Sequence, residues 1–380
     1  MHIAFLTPEY PHNKVQHAAG IGTSIKNLAL ALAEKDVRVS VIVYSQKEHA
    51  MFEENGITIH LVPHQKYRFF TWFFYRKKLQ EYLNQLVVRE QVDLIEAPDW
   101  TGITAFMRLK APLIIRFHGS DTYFCHLENR KQKFKNFWFE KLALQSAKAF
   151  IAPTSFAGEL TRQLFKIENQ KIRTIHNGLR LPDFSNENPA VFEPGLLLYF
   201  GTIIRKKGVL ELPEIMRNVI SQYPDSSLIL IGSDSVDAQT GSQSTWELVM
   251  AKCDSALKSK ITYLGKIPYH EIKEYIKKAN VCVFPTYAET LGMVTIESMA
   301  MQKAVVNSNI GWANELIVNG ESGFLVHPNQ HKEYANAIVE VLRNKELAQE
   351  IGQKARERVE TKFDIEKIAE QNIEFYKLIP

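Results

Sequence analysis

Short apolar runs alternate with amphipathic stretches of helical period along this chain, and the alternation runs twice. "IAFLTPEY" from Ile3 ends in proline and charge; "IGTSIKNLALALAEKDV" follows with Ile25, Leu28, Ala29 and Leu32 at helical spacing; "VRVSVIVYS" from Val37 is apolar again. A strand, a helix and a strand in that order need a crossover connection, which makes the sheet parallel and the fold class α/β. Further strands are expected at "ITIHLVP", "VDLIEAP", "APLIIRFHG", "AFIAPTS" and "KIRTIHNG". The pattern then restarts with the strand and glycine-bounded turn "GLLLYFGTIIRKKG" and the helix "VLELPEIMRNVISQYP", where Pro213 is tolerable only near the first turn. "SSLILIGS", "ITYLGKIP" and "ANVCVFPTY" add strands, and "ESMAMQKAVVNS" is a helix running into one more.

A chain of 380 residues fits two domains at about 150 residues each. The polar, Pro- and Asn-rich "LRLPDFSNENPAVFEPG" is the linker candidate, which places one domain at 1–187 and the next at 188–363. The last stretch, with Ile365, Ile368, Ile373 and Tyr376 near one face, reads as a terminal amphipathic helix. Open parallel sheets bind ligands beyond the carboxyl ends of their strands, so a cleft between two such domains is the expected site.

Composition removes several classes. With 45% hydrophobic and 23% charged residues the chain is globular, and a net charge of +4 does not call for a nucleic-acid partner. Cys125, Cys253 and Cys282 form neither a CxxC pair nor a disulfide framework, which fits a reducing cytoplasm. "MHIAFLTPEYPH" lacks the basic and apolar regions of a signal peptide, and no run approaches the 18 or so apolar residues of a spanning helix.

Three glycine-bearing turns follow expected strands: Gly20 and Gly22, Gly201 and Gly208, and Gly292. Glycine lets backbone N–H groups approach an anion, and a following helix N-terminus favours negative charge. No GxGxxG is present, which counts against a dehydrogenase-type dinucleotide fold. Arg205, Lys206 and Lys207 inside the second turn suit a phosphate or diphosphate, although a solvated basic turn reads the same. In "PTYAETLGMVTIESMA", Glu289 precedes a helix and Glu297 lies about two turns into it, so both can line one side of a site. A carboxylate accepts twice from a vicinal diol, whereas spacing alone also fits two surface charges. His118 stands at a strand end before Gly119, and "SDSVD" around Asp234 reads as a polar loop. "HQKYRFFTWFFYRKK", residues 64–78, frames aromatics with basic residues. It suits peripheral membrane contact, an exposed acceptor channel, or a buried interdomain helix.

"ETLGMVTIE" resembles the Glu–seven–Glu motif of the retaining glycosyltransferases of family four, sucrose-synthase-like and mannosyltransferase-like, with the GT-B fold. The likeness extends over nearly the whole chain through "GIGTSIKNLALALA", "HG" at His118, "IAPTS", "HNG" at His176, "FGTIIRKKG", "YLGKIP" and "NELIVNGESGFLV". It implies two Rossmann-like domains facing a central cleft, residues 1–187 on the acceptor side completed by 364–380 crossing back, and 188–363 holding the nucleotide sugar. Carried across residue by residue, Glu297 would hold the ribose and Glu289 the donor-sugar hydroxyls. Leu291, Gly292 and Met293 would lie near the phosphates and Lys207 on the diphosphate. Gly20 and Gly22 would approach the donor phosphate from the first domain, and His118 the reacting sugar. The family's usual arginine after Gly201 is Thr202 here, with Arg205 as the candidate to supply the missing charge, and Trp312 replaces the second glycine of a Gly-Gly turn.

The resemblance implies transfer of a hexose-type sugar from a UDP- or GDP-linked donor to a glycan or lipid-linked acceptor in polysaccharide or glycolipid synthesis. Retention, no metal and no further cofactor are expected with it, in the cytoplasm or at the inner face of a membrane. A nucleotide-sugar epimerase on the same fold and a non-catalytic nucleotide-sugar-binding subunit are the alternatives.

Overall fold

The computed structural model describes residues 1–167 and 172–380. These divide into two compact units, Met1–Arg180 with Asp364–Pro380, and Leu181–Phe363.

The first unit is built on β1 (His2–Thr7), β2 (Arg38–Gln46), β3 (Ala50–Glu54), β4 (Ile57–Pro63), β5 (Leu94–Pro98), β6 (Leu113–Arg116), β7 (Ala149–Ala152) and β8 (Ile172–Thr174). Among the described residues they form one sheet in the order β3-β4-β2-β1-β5-β6-β7-β8, parallel except for the β3–β4 hairpin. All six β1 residues are buried, because Ile3 and Phe5 enter one core and Ala4 and Leu6 the other. A strand covered on both faces loses apolar–polar alternation and reads as a continuous apolar run.

The edge strand β3, "AMFEE", carries no such run and escapes the sequence reading. Its legible signal is Asn55-Gly56, with φ of 50° and 78°, the pair that a two-residue hairpin turn demands.

The terminal helix Ile365–Lys377 packs on the helix Gly20–Ala33 in this first unit, burying Ile365, Ile368, Phe375 and Tyr376 and leaving Ile373 half-buried. A buried polar cluster fastens it. Arg116 Nε donates to Glu96 at 2.7 Å, Arg116 Nη2 to Asn372 at 2.6 Å, and the Tyr376 hydroxyl to the same carboxylate at 2.6 Å.

The second unit holds β9 (Leu196–Phe200), β10 (Ser227–Ile231), β11 (Ile261–Tyr263), β12 (Val281–Phe284), β13 (Ala304–Asn307) and β14 (Phe324–Leu325), parallel throughout in the order β11-β10-β9-β12-β13-β14. The chain winds one way from β9 and the other way from β12, so those two neighbours form the switch point at which open α/β sheets present ligand loops. Pro213 sits in the first turn of the helix Leu212–Gln222, where its missing N–H costs nothing.

The unit boundary falls inside the expected linker, at Arg180/Leu181 rather than 187/188, because the segment after Leu181 packs on the second unit. Asn186 Nδ2 donates to the Met301 carbonyl at 3.0 Å, Arg356 to the Phe184 carbonyl at 2.9 Å, and Glu193 N–H to the Lys278 carbonyl at 2.8 Å. A polar composition signals a loop and does not show which body the loop is bonded to.

Candidate functional site

Two loops meet at the carboxyl ends of β9 and β12. After β9, Gly201 turns the chain at φ 137°, and Arg205–Lys207 forms one turn of 3₁₀ helix closed by Gly208 at φ 70°. Gly208 is required twice. Its backbone is left-handed, and a Cβ there would fall on the Pro285 carbonyl oxygen of the loop after β12. That closeness lets the Lys206 carbonyl accept from Tyr287 N–H at 2.9 Å and Ala288 N–H at 3.2 Å, clamping the basic turn to the stretch that carries Glu289.

Lys207 Nζ and the Glu289 carboxylate consequently form an ion pair. Burial pulls the Lys207 ammonium down to about 7, with the charge of Lys206 adding to the pull, while the carboxylate seated on it acts the other way. Thr202 is exposed beside them, and its carbonyl accepts from the Tyr199 hydroxyl at 3.0 Å.

Arg205 does not stand open to supply a missing charge. It makes a bidentate pair with the buried Asp237, Nε to Oδ1 at 2.8 Å and Nη2 to Oδ2 at 2.7 Å, and that contact holds the Asp237 carboxyl far below its usual range. Its charge is already matched through two hydrogen bonds to Asp237, just as that of Lys207 is matched by Glu289. Asp234 accepts from Ser235 N–H, Ser244 Oγ and Trp246 N–H, the work of a loop-holding residue.

The helix Met293–Ala300 begins at Gly292, φ 98°, with no side chain capping its first turn. Leu291 is buried and Met293 half-buried. Trp312, which replaces a glycine of the resembling family, is 1% exposed, and its ring lies 3.3 Å from where a Gly292 Cβ would be. The departure therefore fills the space under the turn. Glu297 is 7% exposed, and burial pushes its carboxyl up to about 7 against a hydrogen bond from Tyr269 and the charge of Lys273. Tyr269 opens the helix after β11 and was not legible as a site residue, because nothing local distinguishes it from other helix-initial aromatics.

In the first unit, Gly20 and Gly22 lie in the first turn of the helix Gly20–Ala33 rather than in a free loop. Gly20 is exposed with open space around it. Gly22 N–H already donates to Glu9 Oε1 at 2.8 Å, and a Cβ there would come within 2.9 Å of the Glu9 carbonyl, so its glycine is explained by packing. His118 follows β6, and its N–H donates to Asp99 Oδ1 at 2.8 Å. Burial, then the charge of Arg116, pulls its imidazole down to about 3, so the ring is neutral at ordinary pH. Asp99, missed from the sequence, is 2% exposed after the neighbouring strand β5, with burial pushing its carboxyl up to about 7. Its signal was an aspartate at a central strand's carboxyl end.

The first unit thus gathers His118 and Asp99, and the second gathers Lys207, Glu289, Glu297 and the Gly292 helix start. A cation, a helix N-terminus and two carboxylates at one switch point suit a ligand with a negative centre and hydroxyl groups on its flanks.

Comparison with known proteins agrees. The model of Glycosyltransferase Family 4 matches residues 18–181, and that of Glycosyl transferases group 1 matches residues 182–358. An uncharacterized glycosyltransferase of Methanocaldococcus jannaschii is 25% identical over 357 residues, 92% of each chain. Sucrose-phosphate synthase from Thermosynechococcus elongatus superimposes with a TM-score of 0.80 at 23% identity, covering 99% of this chain and 98% of that one. HepE of Anabaena, solved with UDP, gives 0.76 at 20% identity, covering 99% and 100%, and it has also been solved with UDP-glucose. Two glycosyltransferase models lying end to end over the chain, with neighbours of one shared fold, make it a glycosyltransferase of the GT-B fold.

Proposed function

We infer that the enzyme is a retaining transferase that moves a hexose-type sugar from a UDP- or GDP-linked donor to a glycan or lipid-linked acceptor, without a metal. The observation that carries this is the Lys206 carbonyl clamp, which holds Lys207 and Glu289 together. The binding of UDP and UDP-glucose by HepE supports a nucleotide-sugar donor. The retaining outcome rests on the Glu289–seven–Glu297 spacing.

In the ligand-free chain Lys207 and Glu289 neutralise each other. A bound donor exchanges that pair: its diphosphate takes the Lys207 ammonium and the first-turn amides near Gly292, while its sugar hydroxyls take Glu289 and its ribose diol takes Glu297. As the bond from anomeric carbon to diphosphate breaks, negative charge gathers on the leaving oxygen and positive character on the sugar. Lys207 and the helix dipole oppose the first. The acceptor oxygen bonds the anomeric carbon on the face the diphosphate leaves, and its proton passes to the departing phosphate. His118, neutral, serves as a hydrogen-bonding group toward the sugar. Neither glutamate is nucleophile or base.

Among the described residues no helix is long and apolar enough to cross a membrane. Contact with lipid-linked acceptors is read instead as peripheral, at the inner face of a membrane, through residues 64–78.

The test is transfer or hydrolysis across a panel of UDP and GDP sugars, with the anomeric configuration of the product read by NMR and chelator added in parallel. Lys207→Ala and Glu297→Ala should each lower turnover sharply in folded protein. Near-normal activity in both sinks the reading, an inverted product refutes retention, loss with chelator refutes metal independence, and donor conversion without acceptor points to an epimerase.

A further inference from the structure

The segment 64–78 buries Tyr75 and half-buries Tyr67, Trp72 and Phe73, yet it leaves three phenylalanines in water. Phe69 and Phe70 are each 64% exposed and Phe74 44%. Phe70, the residue before the helix Thr71–Glu90, has φ 51°, a conformation that bulky side chains avoid, so the backbone holds a costly shape where a ring projects into water. A second element joins it. The helix Phe134–Ser146 leaves Phe134 80% and Trp138 43% exposed.

The rings are continuous between the two. Trp72 lies 5.5 Å from Phe106, Phe106 lies 5.4 Å from Trp138, and Lys135 Nζ stands 5.6 Å over Trp72. Neither 64–80 nor 129–139 contains an aspartate or glutamate, and Lys66, Arg68, Lys131, Lys133 and Lys135 are all exposed. Scattered exposed apolar residues are ordinary on a protein surface, whereas a contiguous aromatic face set in one sign of charge is not.

We propose that the start of the helix Thr71–Glu90 and the start of the helix Phe134–Ser146 form one docking face for an anionic lipid bilayer. The proposal rests on the membrane contact read above for residues 64–78, extends it to a second helix and commits it to negatively charged headgroups. Charge complementarity argues for this occupant: aromatic side chains seat at headgroup depth, and each basic residue near the surface adds attraction only where anionic lipid is present. The pairing also explains Lys135, which lies over rings rather than against a carboxylate.

The test uses the full chain with vesicles of phosphatidylcholine alone and of phosphatidylcholine with phosphatidylglycerol, scored by co-sedimentation and by the fluorescence of exposed Trp138. The enzyme should partition onto the anionic vesicles only. Lys133→Gln with Lys135→Gln should lower that partition about 30-fold, at unchanged melting temperature and unchanged donor hydrolysis in solution. If this variant partitions as wild type while Phe69→Ser with Phe74→Ser is lost from the vesicles, the contact is confined to 64–78 and the two-helix face is overturned while the membrane reading stands. If the wild type binds neither vesicle, both fall. Equal binding to the neutral vesicles overturns the anionic requirement.

Discussion

Donor affinity should peak near neutral pH, with one named residue owning each limb. Glu297 must be ionised to accept from a ribose diol, and its ligand-free carboxyl is pushed up to about 7. Because that value is raised, the binding form is gained as pH rises through it. Lys207 must be charged to meet a diphosphate, and its ammonium is pulled down to about 7. Because that value is lowered, the binding form is lost as pH rises through it. With both near 7, the apparent dissociation constant scales inversely with the product of the two fractions. It weakens about threefold one pH unit from the optimum and about 25-fold at two units. Calorimetric titration of UDP-glucose between about pH 5 and 9 reads this directly, since an esterified diphosphate keeps its charge across that range. Glu297→Gln should flatten the acid limb and leave the alkaline one. Lys207→Arg should flatten the alkaline limb, because a guanidinium stays charged. A wild-type curve flat across that range, or an acid limb that survives in Glu297→Gln, would refute the reasoning.

Gly208→Ala should lower the stability of the full chain in urea by about 3 kcal/mol, combining a left-handed backbone with a Cβ forced onto the Pro285 carbonyl. It should weaken donor binding with it, and an unchanged midpoint would mean that the turn can move away freely. Glu96→Ala leaves the Arg116 cation buried and should cost about 3–5 kcal/mol, whereas Tyr376→Phe, which removes one hydrogen bond to the carboxylate, should cost about 1.5 kcal/mol. Urea melts of both variants check the order, and a larger loss from Tyr376→Phe would contradict the buried-pair account. Gly20→Ala should leave both stability and donor affinity within about twofold, since nothing lies near its added methyl; a large loss of affinity would assign that amide to the donor.

The sequence alone determined the parallel α/β character, the two bodies, the terminal helix and the positions of Glu289, Gly292 and Glu297 around one helix start. Those are local matters, set by the spacing of apolar residues and by glycine where a strand ends. Residues 168–171, which include the start of the expected strand "KIRTIHNG", lie outside the described residues. The tertiary structure decided how charges far apart in the chain are shared. Arg205 and Lys207 look alike in "RKKG", yet Arg205 is spent on Asp237 and Lys207 faces Glu289. The Gly22 amide is satisfied by Glu9, and the polar segment after Leu181 is bonded to the second unit. Asp99 and Tyr269 gain their roles only from neighbours brought by parallel pairing and packing. A sequence displays which charges a chain carries; which of them remain available to a ligand depends on the partners that folding brings within hydrogen-bonding distance.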